Sequence, residues 1–202
     1  MDDQPVIEYA IKQGQDLSIN MEGEAVGSFA FGVKKDGSHE NLIKQFNTAL
    51  AQMKKDGTLD QIIEKWTGSS QSSSSTTTTA STSAVPETST KAGQKATPKK
   101  KKYKISSDSS FAPFVFQNDQ SKYTGIDMEL IKAIAKDQGF TLEISNPGFD
   151  AAVSDVQNGN ADGMIAGMTV TDARKATFDF SDPYYTTNSI LAVQESSKIS
   201  SY

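Results

Sequence analysis

Arg174 is the single arginine among the 20 basic side chains of this 202-residue chain. It closes the run Ala166-Gly167-Met168-Thr169-Val170-Thr171-Asp172-Ala173-Arg174. A chain so biased to lysine places its one planar, five-donor guanidinium where an ammonium would not serve. That fork grips a carboxylate through two parallel hydrogen bonds and stays charged at any relevant pH. Five residues earlier, Thr169 offers a hydroxyl and a backbone N–H at the exit of the apolar stretch Gly163-Met164-Ile165-Ala166. Such a stretch reads as a buried strand, and strand exits are where open α/β sheets bind ligands. A surface arginine after a turn is the plainer reading, which the Gly-x-Thr in front of it makes less attractive.

The elements that must position these groups are legible from periodicity. In the second half, a strand over 103–106 is followed by Ser107-Asp108-Ser109-Ser110-Phe111-Ala112-Pro113-Phe114, a helix over 127–138 that buries Leu130, Ile131, Ile134 and Ala135, and a strand over 141–144. Asp150 reads as the cap of a helix over 151–158, then come the strand over 163–166, the Arg174 segment and a last strand over 189–193. Strand–helix–strand–helix–strand predicts an α/β fold, a mainly parallel sheet with helices on both faces. In the first half, Pro5, Val6, Tyr9 and Ala10 predict a short helix after Asp2-Asp3, and Phe29, Phe31 and Val33 alternate as in a strand. Ser38 then caps a helix with Leu42, Phe46, Leu50 or Ala49, and Met53 inward, stopped by Gly57. Thr58 caps a shorter one with Leu59, Ile62, Ile63 and Trp66 inward, ended by Gly68. His39, the one histidine, reads as an exposed loop imidazole without a catalytic role.

Composition divides the chain. Hydrophobic residues make up 36% of the sequence and the net charge is −5. The charge is uneven: 1–68 carries 11 acids against 7 bases, 69–102 carries 1 against 6, and 103–202 carries 13 against 7. Between 69 and 83, 13 of 15 positions are Ser or Thr, and four lysines occupy 99–102. Such a segment buries too little apolar surface to offset the entropy of ordering its backbone, so 69–102 reads as a disordered linker. The lysine run has no interleaved aromatics and both flanks are acidic, which argues against nucleic acid. There is no cysteine for a disulfide or a thiolate metal site, and no metal or cofactor is expected. No apolar run is long enough to span a membrane, and Met1 does not open a signal peptide.

The segment Ser107-Asp108-x-x-Phe111-x-Pro-Phe, the helix start Gly125-Ile126-Asp127, Ala161-Asp162, the Gly167-x-Thr169-x-Thr171-x-x-Arg174 run and Phe180-Ser181-x-Pro-Tyr-Tyr resemble the polar amino-acid substrate-binding proteins of bacterial ABC importers. The match covers essentially all of 103–202. Residues 1–68 resemble the other end of such a domain, through Asp2-Asp3-x-Pro5, Phe29-x-Phe31-x-Val33 and the closing Lys65-Trp66-x-Gly68. The resemblance implies a carboxy-terminal remnant of a first binding domain, a linker, and the amino-terminal part of a second, from a Gram-positive-type tandem polypeptide. It also implies that the two remnants complete one periplasmic-binding-protein-like lobe 1 in the manner of a circular permutant, with most of lobe 2 missing.

For the ligand, the resemblance implies an amino acid whose carboxylate meets Arg174 and Thr169, and whose ammonium meets the carbonyl of Gly167 or Ala166. Asp3 would be the counter-charge from the second lobe, Phe111 and Phe149 the apolar sandwich, and Asp108 the acceptor for the far end of the side chain. An acid at 108 favours glutamine, with histidine or arginine behind it. Core roles for Phe111 and Phe149, a turn role for Asp108 and a helix-cap role for Asp3 stay open. The implied partners are a free amino acid, an ABC permease and, through it, ATPase subunits, on the extracytoplasmic face of the membrane. Exchange of halves between two chains would give a dimer. A sensor module of a receptor, a fragment without binding activity and an enzyme are the competing classes. An enzyme is least favoured, because Asp108 alone offers acid–base chemistry there.

Overall fold

A computed structural model describes residues 2–68, 100–194 and 196–197. The linker reading therefore falls, for 69–99, outside the described residues. In chain order the elements are β1 (Asp2–Asp3), α1 (Gln4–Lys12), β2 (Ser18–Phe29), β3 (Gly32–Lys34), α2 (Glu40–Asp56), α3 (Thr58–Thr67), β4 (Lys102–Ser106), β5 (Phe116–Gln117), β6 (Tyr123–Thr124), α4 (Ile126–Gln138), β7 (Thr141–Ser145), α5 (Phe149–Asn158), β8 (Gly163–Met164), α6 (Asp172–Lys175), β9 (Phe178–Phe180) and β10 (Tyr185–Val193).

The central sheet has the order β7-β4-β8-β3-β9. β7 and β8 flank β4 in parallel, while β3 runs antiparallel between β8 and β9, so four of the five strands point one way. The reversed strand is the one supplied by the first segment. Its placement needs a close approach: a Cβ on Gly163 would lie 2.4 Å from the Phe31 ring, so only glycine lets Phe31 cover β8. Phe31 in turn stacks on Phe46 of α2, with ring centroids 4.8 Å apart.

Side chains of β8 and its extension alternate between two cores. Ile165 joins a large cluster with Leu42, Phe46, Ile63, Ile131 and Ile134 from α2, α3 and α4. Met164 and Ala166 join a smaller one with Ala152 and Val156 of α5 and with Phe178. The period-2 alternation thus puts helices on both faces of the sheet. A second sheet of order β1-β10-β2 is antiparallel throughout and carries the long strands that leave the central sheet. No helix among the described residues is long and apolar enough to cross a membrane.

Several local readings are corrected. Ser38 does not cap α2: its amide and hydroxyl are both taken by Asp36 Oδ1, and His39 holds the cap position. Thr58 is the first helical residue of α3, its N–H on Asp56 Oδ1, with Gly57 at the cap. Asp150 lies inside the first turn of α5, which starts at Phe149 after Gly148. The strand expected around 28–33 is split, because Ala30 N–H turns to the Met168 carbonyl and Phe31 N–H to Ser181 Oγ. His39 is not an exposed imidazole. Its side chain is 20% exposed, with Nδ1 3.7 Å from Asp162 Oδ1 across the two segments. The last strand begins at Tyr185 and not at 189.

Candidate functional site

The parallel strands β4, β7 and β8 end at Ser106, Ser145 and Met164, and the loops leaving those ends carry almost every residue singled out for ligand chemistry. The first loop turns at once. Asp108 Oδ1 accepts from the amides of Ser109 (2.6 Å) and Ser110 (3.3 Å), the geometry of an Asx turn. The Asn146 side chain, from the loop after β7, donates to the Asp108 carbonyl at 2.8 Å. One oxygen of Asp108 therefore serves the turn, as the structural reading of that residue held.

Phe111 stacks on Phe114 at 5.2 Å and meets Phe29 edge-on at 6.2 Å. It also presses on the loop after β8, since a Cβ on Gly167 would sit 2.3 Å from the Phe111 ring. Gly167 has φ +55°, so a side chain there would meet both a strained backbone and the ring. Phe149, at the start of α5, faces a different partner: the Arg174 guanidinium carbon lies 5.0 Å from its ring centroid. The two aromatics expected to sandwich a ligand are each half-buried, Phe111 against Phe114 and Phe29 and Phe149 against Arg174.

Arg174 sits in the four-residue helix α6, which Thr171 caps through its side chain. Its Nη1 donates to the Thr169 carbonyl at 2.9 Å, and Thr169 is bridged to Phe29 of β2. Among the described residues no carboxylate lies within ion-pair distance of the guanidinium. The guanidinium is therefore half-buried, laid on an aromatic face and held by one backbone carbonyl.

Asp3 comes to this edge from the second sheet. It pairs with Ser189 in β1, and its Oδ1 accepts from Thr187 Oγ1 at 3.2 Å. Thr187 pairs with Gly27, and a Cβ on Gly27 would lie 2.7 Å from Thr169 Cγ2. Asp3 is therefore joined to the Thr169 neighbourhood through Thr187. It is the N-cap residue of α1, as the helix-cap reading expected, with extended backbone and no side-chain cap bond.

Beneath the loop lies a polar group that sequence reasoning passed over. Asp127, in the first turn of α4, is fully buried and its Oδ2 accepts from Gly167 N–H at 2.7 Å. Burial raises its pKa to about 7, against the opposing pull of the Tyr184 hydroxyl and the Gly167 amide. Asp127 Oδ1 and the Tyr184 hydroxyl both lack a hydrogen bond of ordinary geometry. The Tyr184 pKa is raised as well, first by burial and then by the Asp127 charge. The signal was in the sequence: an acid between Ile126 and Met128 on an otherwise apolar helix start. Phe29 was also missed as a site element, because an alternating aromatic strand reads as core. Among the described residues no group of three or more His, Cys, Asp or Glu side chains could hold a metal ion.

Residues 103–199 match the family described as "Bacterial extracellular solute-binding proteins, family 3". The chain is 36% identical over 101 residues to the "Probable histidine-binding protein" of Neisseria gonorrhoeae, a match covering 50% of this chain and 38% of that protein. It is 33% identical over 102 residues to the "Arginine-binding extracellular protein ArtP" of Bacillus subtilis (strain 168), covering 50% of this chain and 40% of the relative. A shorter stretch of 72 residues is 38% identical to "Membrane-bound lytic murein transglycosylase F" of Desulfosudis oleivorans, covering 36% of this chain and 16% of that one. Among solved structures, the second substrate binding domain of a "putative amino acid ABC transporter" from Streptococcus pneumoniae Canada MDR_19A is 77% identical, with a TM-score of 0.46, covering 49% of this chain and 45% of that one. The chain spans about two fifths of the length of these binding proteins.

Proposed function

From the match of residues 103–199 to the bacterial extracellular solute-binding proteins of family 3, we propose that the strand-end loops form one wall of an amino-acid binding cleft, with Arg174 receiving the ligand carboxylate. The observation that carries this reading is the half-buried guanidinium on the Phe149 face, which meets no carboxylate among the described residues. Thr169 would share the carboxylate, Phe111 and Phe149 would flank the aliphatic part, and the free oxygen of Asp108 would meet an amide or cationic side-chain end. Asp3, reaching the edge through Thr187, would face the ammonium. Glutamine remains our choice of ligand. Relatives named for histidine and arginine keep the two cationic alternatives close.

On this reading 1–68 corresponds to the end of such a domain and 103–202 to the beginning of another, joined by 69–102. The parent polypeptide would deliver its amino acid to an ABC permease and its ATPase subunits at the extracytoplasmic face of the membrane. The strand β3 could be exchanged between two chains to give a dimer. Among the described residues no acid–base or nucleophilic set accompanies Asp108 at this edge, and we assign binding in preference to catalysis.

With one wall, binding is weak. Association costs several kcal/mol of ligand freedom before net affinity appears, so dissociation constants should fall in the millimolar range, about −4 kcal/mol. Chemical-shift titration of the labelled chain against a panel of free amino acids tests the reading. Saturable shifts at Thr169, Phe149 and Arg174 are expected, and their loss in Arg174→Lys, because an ammonium cannot reproduce the fork. Unaltered titration by the lysine variant would remove Arg174 from the site.

A further inference from the structure

We infer that Asn146 is a positioning residue for ligand specificity: its side chain fixes the loop that carries Asp108 and so sets where the far end of a ligand side chain is met, without touching the ligand. This rests on the amino-acid reading above and adds a task within it. Strands β4 and β7 pair in parallel as far as Ser106 and Ser145, and the ladder runs one step further, from Ser107 N–H to the Ser145 carbonyl at 2.9 Å. The next amide on the β7 side would belong to residue 147, a proline with no N–H to give. There the Asn146 side chain takes over, its Nδ2 donating to the Asp108 carbonyl at 2.8 Å. The acceptor is a backbone carbonyl, so the amide nitrogen and not the oxygen must face it. Pro147 also biases the backbone of Asn146 to extended conformations, which limits how far that donor can swing.

The bond holds a carboxylate with one half in use. Asp108 Oδ1 is taken by the Ser109 and Ser110 amides, so Oδ2 points where the loop backbone turns it. Pinning the Asp108 carbonyl pins that direction. The same short loop after β7 reaches toward the other end of the proposed ligand. Phe149, three residues after Asn146, opens α5 and bears the Arg174 guanidinium 5.0 Å from its ring centroid. Residues 146–149 therefore link the group proposed for the side-chain end to the support of the group proposed for the carboxylate. A fixed link between the two favours one length of amino-acid side chain over others.

The test follows glutamine and alanine by chemical-shift titration into the whole chain. Alanine carries the α-groups without a polar side-chain end, so it is the reference for the carboxylate clamp alone. Asn146→Ala removes the donor, and Asn146→Asp keeps the size but sets a carboxylate oxygen against the carbonyl. Either variant should lower the affinity for glutamine relative to alanine about twofold to fivefold, the scale of one lost hydrogen bond. In an Asp108→Ala background, Asn146→Ala should change that ratio by less than about 1.5-fold, because the group through which it acts is gone. A merely structural residue would weaken both ligands alike. An unchanged ratio in the single variants, or the same fall with and without Asp108, would overturn the proposal.

A ligand-free readout separates this inference from the reading it rests on. In both Asn146 variants, amide exchange at Ser109 should quicken about twofold to tenfold as its turn loosens, while Gly167, on the loop after β8, keeps its rate. Exchange at Ser109 that matches the parent would sink the positioning role. Because that measurement needs no ligand, it decides Asn146 even if the parent chain binds neither compound, an outcome that would sink the amino-acid reading instead.

Discussion

The two segments of this chain divide their labour sharply. The first supplies closure: β3 completes the sheet between β8 and β9, and Phe29, Phe31, Val33, Leu42 and Phe46 are almost wholly buried. The second supplies the proposed ligand edge, where Asp108, Phe111, Phe149, Thr169 and Arg174 are all half-buried near strand ends. Apart from Asp3 and Phe29, which backs Phe111, no residue assigned to the candidate site lies in the first segment. The contrast teaches that a strand joining the sheet from a distant part of the chain needs apolar faces and backbone bonds. A site needs charge held in reserve.

Breaking the scaffold should therefore cost stability, and breaking the edge should cost recognition. The largest effect is expected at Phe31, fully buried, stacked on Phe46 and covering Gly163. Phe31→Ala should destabilise the fold by about 3–5 kcal/mol, read from denaturant midpoints. A loss below about 1 kcal/mol would mean that the first segment is not integral to the sheet.

Asp127 sharpens the comparison because it is buried like the scaffold and serves the edge. Its folded pKa of about 7 lies above the ordinary 3.8, so the native state binds a proton that the unfolded state has released in that window. Stability contributed by the protonated carboxyl is complete below pH 3.8, falls as the pH rises toward 7 and is flat above. The loss is at most about 4 kcal/mol, taking 1.36 kcal/mol per pK unit. The stability difference between the parent and Asp127→Asn, measured across pH 4–8, should trace that fall. A pH-independent difference would show that Asp127 does not titrate there. The surface carboxylates Asp36, Asp56 and Glu143, whose pKa values are lowered by their hydrogen-bond partners, are common to both proteins and cancel.

The smallest effect belongs to Asp108. Asp108→Asn keeps an oxygen for the Ser109 and Ser110 amides but removes the charge offered to a ligand side chain. It should change the ranking of amino acids by about 1 kcal/mol, against cationic ligands and glutamine and toward glutamate, while thermal stability stays put. An equal loss for all amino acids would confine Asp108 to its turn.

Much of this was legible in the sequence, for identifiable reasons. The apolar periods of α2, α3 and α4 and the terminal glycines at 57, 68, 139 and 159 marked helix bodies and ends, because burial and left-handed caps leave plain residue signatures. Helix starts were read less well. Ser38, Thr58 and Asp150 are good capping types, but Ser38 is engaged by Asp36, and a glycine one position before Thr58 and two before Asp150 takes the cap. The strands β9 and β5–β6 were too short to show a period. Of the candidate site, Arg174, Phe111 and Phe149 could be singled out because a lone arginine or an aromatic near a strand end stands out by type. Asp127 and Thr187 were not, because their roles depend on a hydrogen bond across the fold, to Gly167 and to Asp3, that no local pattern encodes.

The central claim is that Arg174 meets a ligand carboxylate, and the most direct measurement follows its guanidinium while the ligand's charge is changed. Side-chain resonances of Arg174 in the whole chain are titrated with glutamine and, separately, with its α-carboxamide, which keeps every group except the anion. The account predicts saturable movement of the Arg174 Nε and Nη signals with glutamine in the millimolar range, and none with the carboxamide. Equal movement with both compounds, or glutamine shifts elsewhere on the chain with Arg174 unmoved, would contradict it.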